Sequence, residues 1–400
     1  MLPSGNSVRL LQRQTALLSQ RVVVRLLTSN ERTNPTRFRD VPSSNYPMAK
    51  IINIMFLKIK NWLFSNQTIS QTIAKNTFWL FSGQMIGRLL RAAIVIYAAR
   101  VLGAASWGAF SYALGIAAFL TIFSDIGINA LITKQTARDP ALKDQYISTA
   151  FFTKLSLVSI FVLVVAAFFP YLTKIEEAAA IMPVLIFVFI FDTLRDLGSA
   201  LSRAMEQMQI EALINIFTNL AIAVLGFILL SASKTSASLA LGYAAGSGLG
   251  LIAIFFALRL RFKTLIKNFN KSLVKQIIVA AWPFGLMGLM GAIMLNTDII
   301  MLGWLRSPAE VGYYSAAQKI IYLLYVLPTL IATSMFPIMA KMAKINPNFV
   351  KIMLERTVMI MLMVAVPLSV LGILFAPAII QLFFGAEYLP AILTFQILMA

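Results

Sequence analysis

The chain has 400 residues, 59% of them hydrophobic and 12% charged, with a formal charge of +19 and a mean hydropathy of +0.82. Several apolar runs of membrane-spanning length exclude a soluble domain and make the bilayer its solvent. Neither cysteine nor histidine occurs, which removes disulfides, thiol nucleophiles, imidazole chemistry and most zinc sites, so no metal site and no cofactor is expected.

In a membrane chain an excess of Lys and Arg is first a topology signal, so the positive charge does not point to nucleic acid. Residues 1–75 read as a cytoplasmic tail. Its first 47 residues are Arg-rich with only Glu31 and Asp40 as acids, the composition of a disordered tail, a transit peptide or an upstream start translated in error, the last being favoured because Met48 and Met55 follow. The stretch 51–64, "IINIMFLKIKNWLF", combines apolar residues with Lys58 and Lys60 and reads as a helix lying in the membrane interface.

Ten crossings follow, at about 78–101, 109–131, 150–171, 179–200, 212–230, 238–258, 277–302, 311–335, 358–378 and from 391 onward. Alternate loops hold most of the lysines and arginines, including Lys134, Arg138 and Lys143, then Arg195 and Arg203, then the run from Arg259 to Lys275. This asymmetry puts the N-terminus in the cytoplasm. The expected fold is therefore all-α, a polytopic helical bundle.

"LGAASWGAFSYA" lies between the first and second crossings and "LRSPAEVGYYSAA" between the seventh and eighth. Aligning Gly108 with Gly312 brings Ser111 onto Ser315. Six crossings separate the copies, an even number, so the halves are parallel repeats about an axis along the membrane normal. Two pseudo-symmetric lobes of six crossings are expected, 76–262 and 263–400, with the second cut short at about the tenth crossing of the chain and a cavity between them.

Charges inside the spans mark the candidate site. Gln84, Arg88 and Arg91 share one face of the first crossing. A charge at that depth costs about 2.5 to 3.5 kcal/mol on insertion scales and requires a partner or a cavity. The pair is read either as structural arginines salt-bridged to neighbouring helices or as an anion site, for which the planar guanidinium fork suits phosphate. Lys319 sits inside the eighth crossing with Tyr322 and Tyr325 at helical spacing, two tyrosines that either form an interfacial belt or contact sugars. Asp125 and Asp298, near the ends of the second and seventh crossings, either cap, pair with an arginine or take part in binding a coupling ion, H+ or Na+. Asp192, Arg195 and Asp196 read as a self-neutralising helix terminus, and Lys154 as a snorkelling lysine. Gly83 and Gly87, then Gly242, Gly246 and Gly250, read as close-packing positions. Pro283, among glycines in the seventh crossing, predicts a kink or a broken helix. No phosphate-cradling GxxxxGK[ST] loop and no loop large enough for a catalytic domain occurs, so neither ATP-driven pumping nor an enzyme is expected.

The blocks "RAAIVIYAARVLGAASWGAFSYALGI", "DIGINALITKQTAR", "NTDIIMLGWLRSPAEVGYYSAAQKI" and "SMFPIMAKMAK" together resemble the oligosaccharide and polysaccharide (Wzx-type) flippases of the multidrug/oligosaccharidyl-lipid/polysaccharide exporter superfamily. The resemblance runs from about Asn76 to the end of the chain. It implies a multi-pass protein of the bacterial cytoplasmic membrane that flips an undecaprenyl-pyrophosphate-linked oligosaccharide, an O-unit or exopolysaccharide repeat, by alternating access. The lipid-linked oligosaccharide, membrane lipids and the polysaccharide polymerase machinery are the partners it implies. Arg91 matches a position where the family often has a basic residue, and Asp298 matches the acid of its "D-R-x-x-I/L-G" block, with Ile299 in place of the frequent basic neighbour. Two alternatives stay open, a cation-coupled multidrug exporter of the same superfamily and a peptidoglycan lipid-precursor flippase. A membrane-embedded glycosyltransferase or ligase is disfavoured, because the longest internal loop, around 259–276, contains no acid.

Overall fold

The computed structural model describes residues 69–138, 142–259, 262–325 and 347–400, with 328, 335 and 339. The interfacial helix expected at 51–64 and the tail before it lie outside the described residues, all of which fall within one compact unit, Trp62–Ala400. The described elements are helical: α1 Ile69–Asp125, α2 Ile128–Arg138, α3 Lys143–Leu172, α4 Glu176–Ala204, α5 Met208–Ala232, α6 Ser236–Ala257, α7 Phe262–Lys267, α8 Lys271–Leu305, α9 Pro308–Leu324, α10 Pro347–Leu374, α11 Ala376–Phe384 and α12 Ala391–Met399, with a 3₁₀ turn at Ala386–Tyr388. Seven are long and apolar enough to cross a membrane.

One of those seven spans Ala74–Asp125, 52 residues, or about 78 Å if straight, against about 30 Å of hydrocarbon. It is two crossings folded against each other. Gly103 breaks the helix with φ +75°, a backbone state that glycine reaches without strain. Arg91 and Phe110 would stand about 28 Å apart on a straight helix, yet both approach the Tyr243 ring, at 5.3 Å and 5.2 Å. The first and second crossings are therefore the arms 69–102 and 104–125, with Gly103 at the bend.

Hydropathy carries the second crossing to Leu131, but the helix stops at Asp125. Ile126 and Gly127 both take positive φ, 42° and 79°, and a new helix, α2, begins. Gly127 is needed because a Cβ there would overlap the Ala281 carbonyl on α8. In the eighth crossing the helix α9 ends at Leu324, capped by Tyr325, and most of the expected remainder of the crossing lies outside the described residues. The ninth starts earlier than expected, at Pro347, and ends at Leu374, with Ala376 opening a separate helix. α8 runs through Pro283 as one helix, so the chain is not broken there.

Small residues set the spacing of the bundle, as expected where lipid offers no hydrophobic drive for helices to associate. A Cβ on Gly83 would come 2.7 Å from Ala212, one on Gly242 2.6 Å from Gly226, and one on Gly246 2.5 Å from Ile222. α5 is thus clamped between the first arm of α1 and α6. The core that results is centred on Trp107, Phe110, Tyr112 and Tyr243, all at most 1% exposed.

Candidate functional site: a cationic cavity beside the α1 hairpin

The first arm of α1 brings Arg88 and Arg91 to a cavity of about 390 Å³, and α9 brings Lys319, Tyr322 and Tyr325 to the same space. Trp107 and Tyr243 complete its inner wall, and Phe383 and Phe384 lie at one side. Five of the side chains singled out in the sequence thus converge. Gln84 is exposed and does not line the cavity.

Arg91 Nε donates to Asn219 Oδ1 at 2.9 Å, and its guanidinium lies over the Tyr243 ring, a cation–π contact. Lys319 Nζ stands 5.7 Å from the centre of the Tyr322 ring. Tyr322 donates its hydroxyl to the Leu295 carbonyl at 2.8 Å, and its ring lies 5.8 Å from that of Tyr325. Among the described residues, the ion pairs involve neither Arg88, Arg91 nor Lys319. Three cations therefore share one cavity whose lining holds no carboxylate, and Asp298 on α8 acts on Lys319 only through its field, without an ion pair. Trp107 lines the cavity with its ring, while its indole N–H is packed away from solvent without a hydrogen-bond partner.

The two candidate carboxylates are held differently. Asp298 on α8 accepts from the Tyr314 hydroxyl and from Gln318 Nε2, the latter at 2.7 Å, so it ties α8 to α9 through neutral donors. Asp125 accepts from Lys154 Nζ at 2.9 Å, and the same ammonium donates to Asn129 Oδ1 at 2.9 Å. Lys154 does not snorkel: it is 1% exposed and fixed between two helices. The expected cluster on α4 forms, with Arg195 bridged to Asp192 at 2.7 Å and to Asp196 at 3.3 Å.

Sequence reasoning misses a clasp at the Gly103 bend, where Arg100 reads only as a loop charge. Arg100 donates to the Leu382 and Phe383 carbonyls at the C-terminus of α11. Glu387 Oε1 accepts from the Ala104 N–H at 2.6 Å, and the Tyr388 hydroxyl donates to the Ala99 carbonyl at 2.9 Å. Each charge sits at the helix end that its sign favours. The partners stand more than 280 positions apart in the chain, and no local pattern points from one to the other.

The helices and cavity define a multi-pass membrane protein with the fold of known exporters and flippases. An inward-facing multidrug resistance MATE family transporter of the MOP superfamily superposes with a TM-score of 0.63 at 17% identity, over 78% of this chain and 76% of that one. The lipid II flippase MurJ, in an inward closed conformation, gives 0.63 at 19%, over 79% and 70%. A provisionally named O-antigen transporter of Shigella flexneri is 22% identical over 331 residues, covering 79% of this chain and 78% of its own length. The family described as polysaccharide biosynthesis protein matches residues 73–343, and the chain belongs to that family. The resemblance carried by the blocks around Gly108 and Gly312 is thereby borne out.

Proposed function

We propose that the protein flips an undecaprenyl-pyrophosphate-linked oligosaccharide across the bacterial cytoplasmic membrane. The observation that carries this reading is the convergence of Arg88, Arg91 and Lys319 on one cavity with no ion-paired carboxylate. A pyrophosphate entering the membrane loses its hydration, and preplaced guanidinium and ammonium groups replace that water. Trp107 adds an apolar wall, while Tyr322 and Tyr325 offer faces to sugar rings. The polyprenyl tail stays in lipid.

With the N-terminus in the cytoplasm, the Gly103 bend faces outward. The Arg100 and Glu387 contacts then close the outer side, and breaking them opens it, the motion that alternating access between two lobes requires. The membrane potential, at about 2.3 kcal/mol per charge per 100 mV, or an H+ or Na+ bound at Asp298 biases the cycle. Asp125 is the weaker candidate, since Lys154 already fills its cation position. The polymerase machinery receives the flipped carrier. Every step here is transport, with no bond made or broken.

The test is complementation of a flippase-deficient host at matched membrane expression. The wild-type chain restores surface polysaccharide, and Arg88→Ala or Arg91→Ala leaves the carrier in the inner leaflet. If both arginine variants flip normally, the cavity is not the transport path. A lipid-precursor flippase shares the anion logic, and the MurJ-like fold favours keeping it as the second reading; rescue of a host lacking that activity distinguishes the two. A multidrug exporter of cationic amphiphiles is disfavoured by like-charge repulsion in the cavity, and resistance to cationic drugs without polysaccharide rescue would reinstate it.

A further inference from the structure

Arg91 is held by an amide rather than a carboxylate. Asn219 Oδ1 takes the Nε proton, and the two terminal nitrogens of Arg91 have no hydrogen-bond partner among the described residues. The Asn219 amide is itself locked. Its Nδ2 donates to Asn215 Oδ1 at 2.7 Å and to the Asn215 carbonyl at 2.8 Å, and Asn215 Nδ2 donates to the Gly83 carbonyl at 3.2 Å. With its NH2 committed to Asn215, Asn219 presents its oxygen to α1. Gly87 leaves room for this ladder, since a Cβ there would come 2.9 Å from Asn219 Nδ2.

An arginine that is merely stored inside a membrane protein pairs with a carboxylate, which cancels its field. A neutral acceptor orients the fork and leaves both the charge and its terminal edge for a ligand. Resting on the reading of the cavity as a pyrophosphate site, we infer that Asn219 is a positioning residue that aims Arg91 while keeping it uncompensated. The amide is the chemically selected feature. The substitution Asn219→Asp would keep the acceptor for Arg91 in nearly the same shape, give up the two bonds to Asn215 and pair the arginine with a charge.

The experiment measures binding of undecaprenyl pyrophosphate to the full chain in detergent, with undecaprenol as the neutral control, across salt concentrations and alongside thermal melting. Asn219→Asp weakens pyrophosphate binding about tenfold, flattens its salt dependence and melts lower than wild type, because its second oxygen loses both bonds to Asn215. Asn219→Ala weakens it about threefold, keeps the salt dependence and melts lower. Unchanged pyrophosphate affinity in Asn219→Asp, with Arg91→Ala defective, overturns the inference and leaves the site reading intact. Wild-type affinity in Arg91→Ala, or no binding by wild type, removes the site reading and the inference with it. Should Asn219→Asp fail to fold, wild-type affinity in Asn219→Ala overturns the inference on its own.

Discussion

Gly108 on the second arm of α1 and Gly312 on α9 cross backbone to backbone. A Cβ at Gly108 would overlap the Pro308 carbonyl, and one at Gly312 would overlap the Ala104 carbonyl. Each glycine thus meets the residue one helical turn before the other, the reciprocal pattern of a two-fold contact. The two residues that align the sequence repeat are the ones that touch.

Enlarging either glycine forces these helices apart. Gly108→Ala and Gly312→Ala are each expected to cost about 1 to 3 kcal/mol by overpacking, read as a lower melting temperature in detergent. The double variant costs clearly less than the sum, because one displacement relieves both overlaps. Strict additivity would show that the crossing is not a shared contact.

The clasp at Gly103 predicts a change in opening rather than in folding. Glu387→Gln and Arg100→Gln each remove about 1 kcal/mol of charge-assisted contact at a helix end. The chain contains no cysteine, so Ala99→Cys, buried at 0% exposure beside Tyr388, reports opening cleanly. Its maleimide labelling is expected to rise about fivefold in either clasp variant, and an unchanged rate would mean that the clasp does not hold the bend closed.

Lys154 and Asp125 make an asymmetric pair, with Lys154 at 1% and Asp125 at 27% side-chain exposure. Asp125→Asn strands a buried ammonium among neutral oxygens and is expected to cost about 3 kcal/mol. Lys154→Met leaves a carboxylate that water partly reaches, so it costs about 1 kcal/mol. Denaturation in detergent ranks the two, and equal costs would contradict the geometry.

Trp107 gives a ligand-specific test. Trp107→Phe keeps a ring to stack on Phe110, now 5.8 Å away, but deletes the unpartnered N–H. Because that N–H is out of reach of the cavity space, binding of undecaprenyl pyrophosphate is expected to hold within about twofold, with thermal stability equal or higher once the unsatisfied donor is gone. A clear loss of affinity would show that the indole turns its donor to the anion.

The helical class, most crossings and the family are legible in the chain alone, because hydropathy over a span and the i, i+3, i+4 spacing that sets Arg88 and Arg91 on one face are local properties. The same reading marks Lys319, Tyr322 and Tyr325 as charges and rings out of place in lipid. What those groups face is set by the fold. Lys154 reads as a snorkelling side chain because nothing beside it in sequence names Asp125 and Asn129 as its partners. Asn219 draws no notice in the sequence, and Arg100 reads as a loop charge, since their meaning lies in Arg91 and in the α11 carbonyls. Transfer free energy is a sum over neighbours along the chain. Pairing depends on which helix faces meet, and here close approach at glycines such as Gly108, Gly242 and Gly312 settles those meetings.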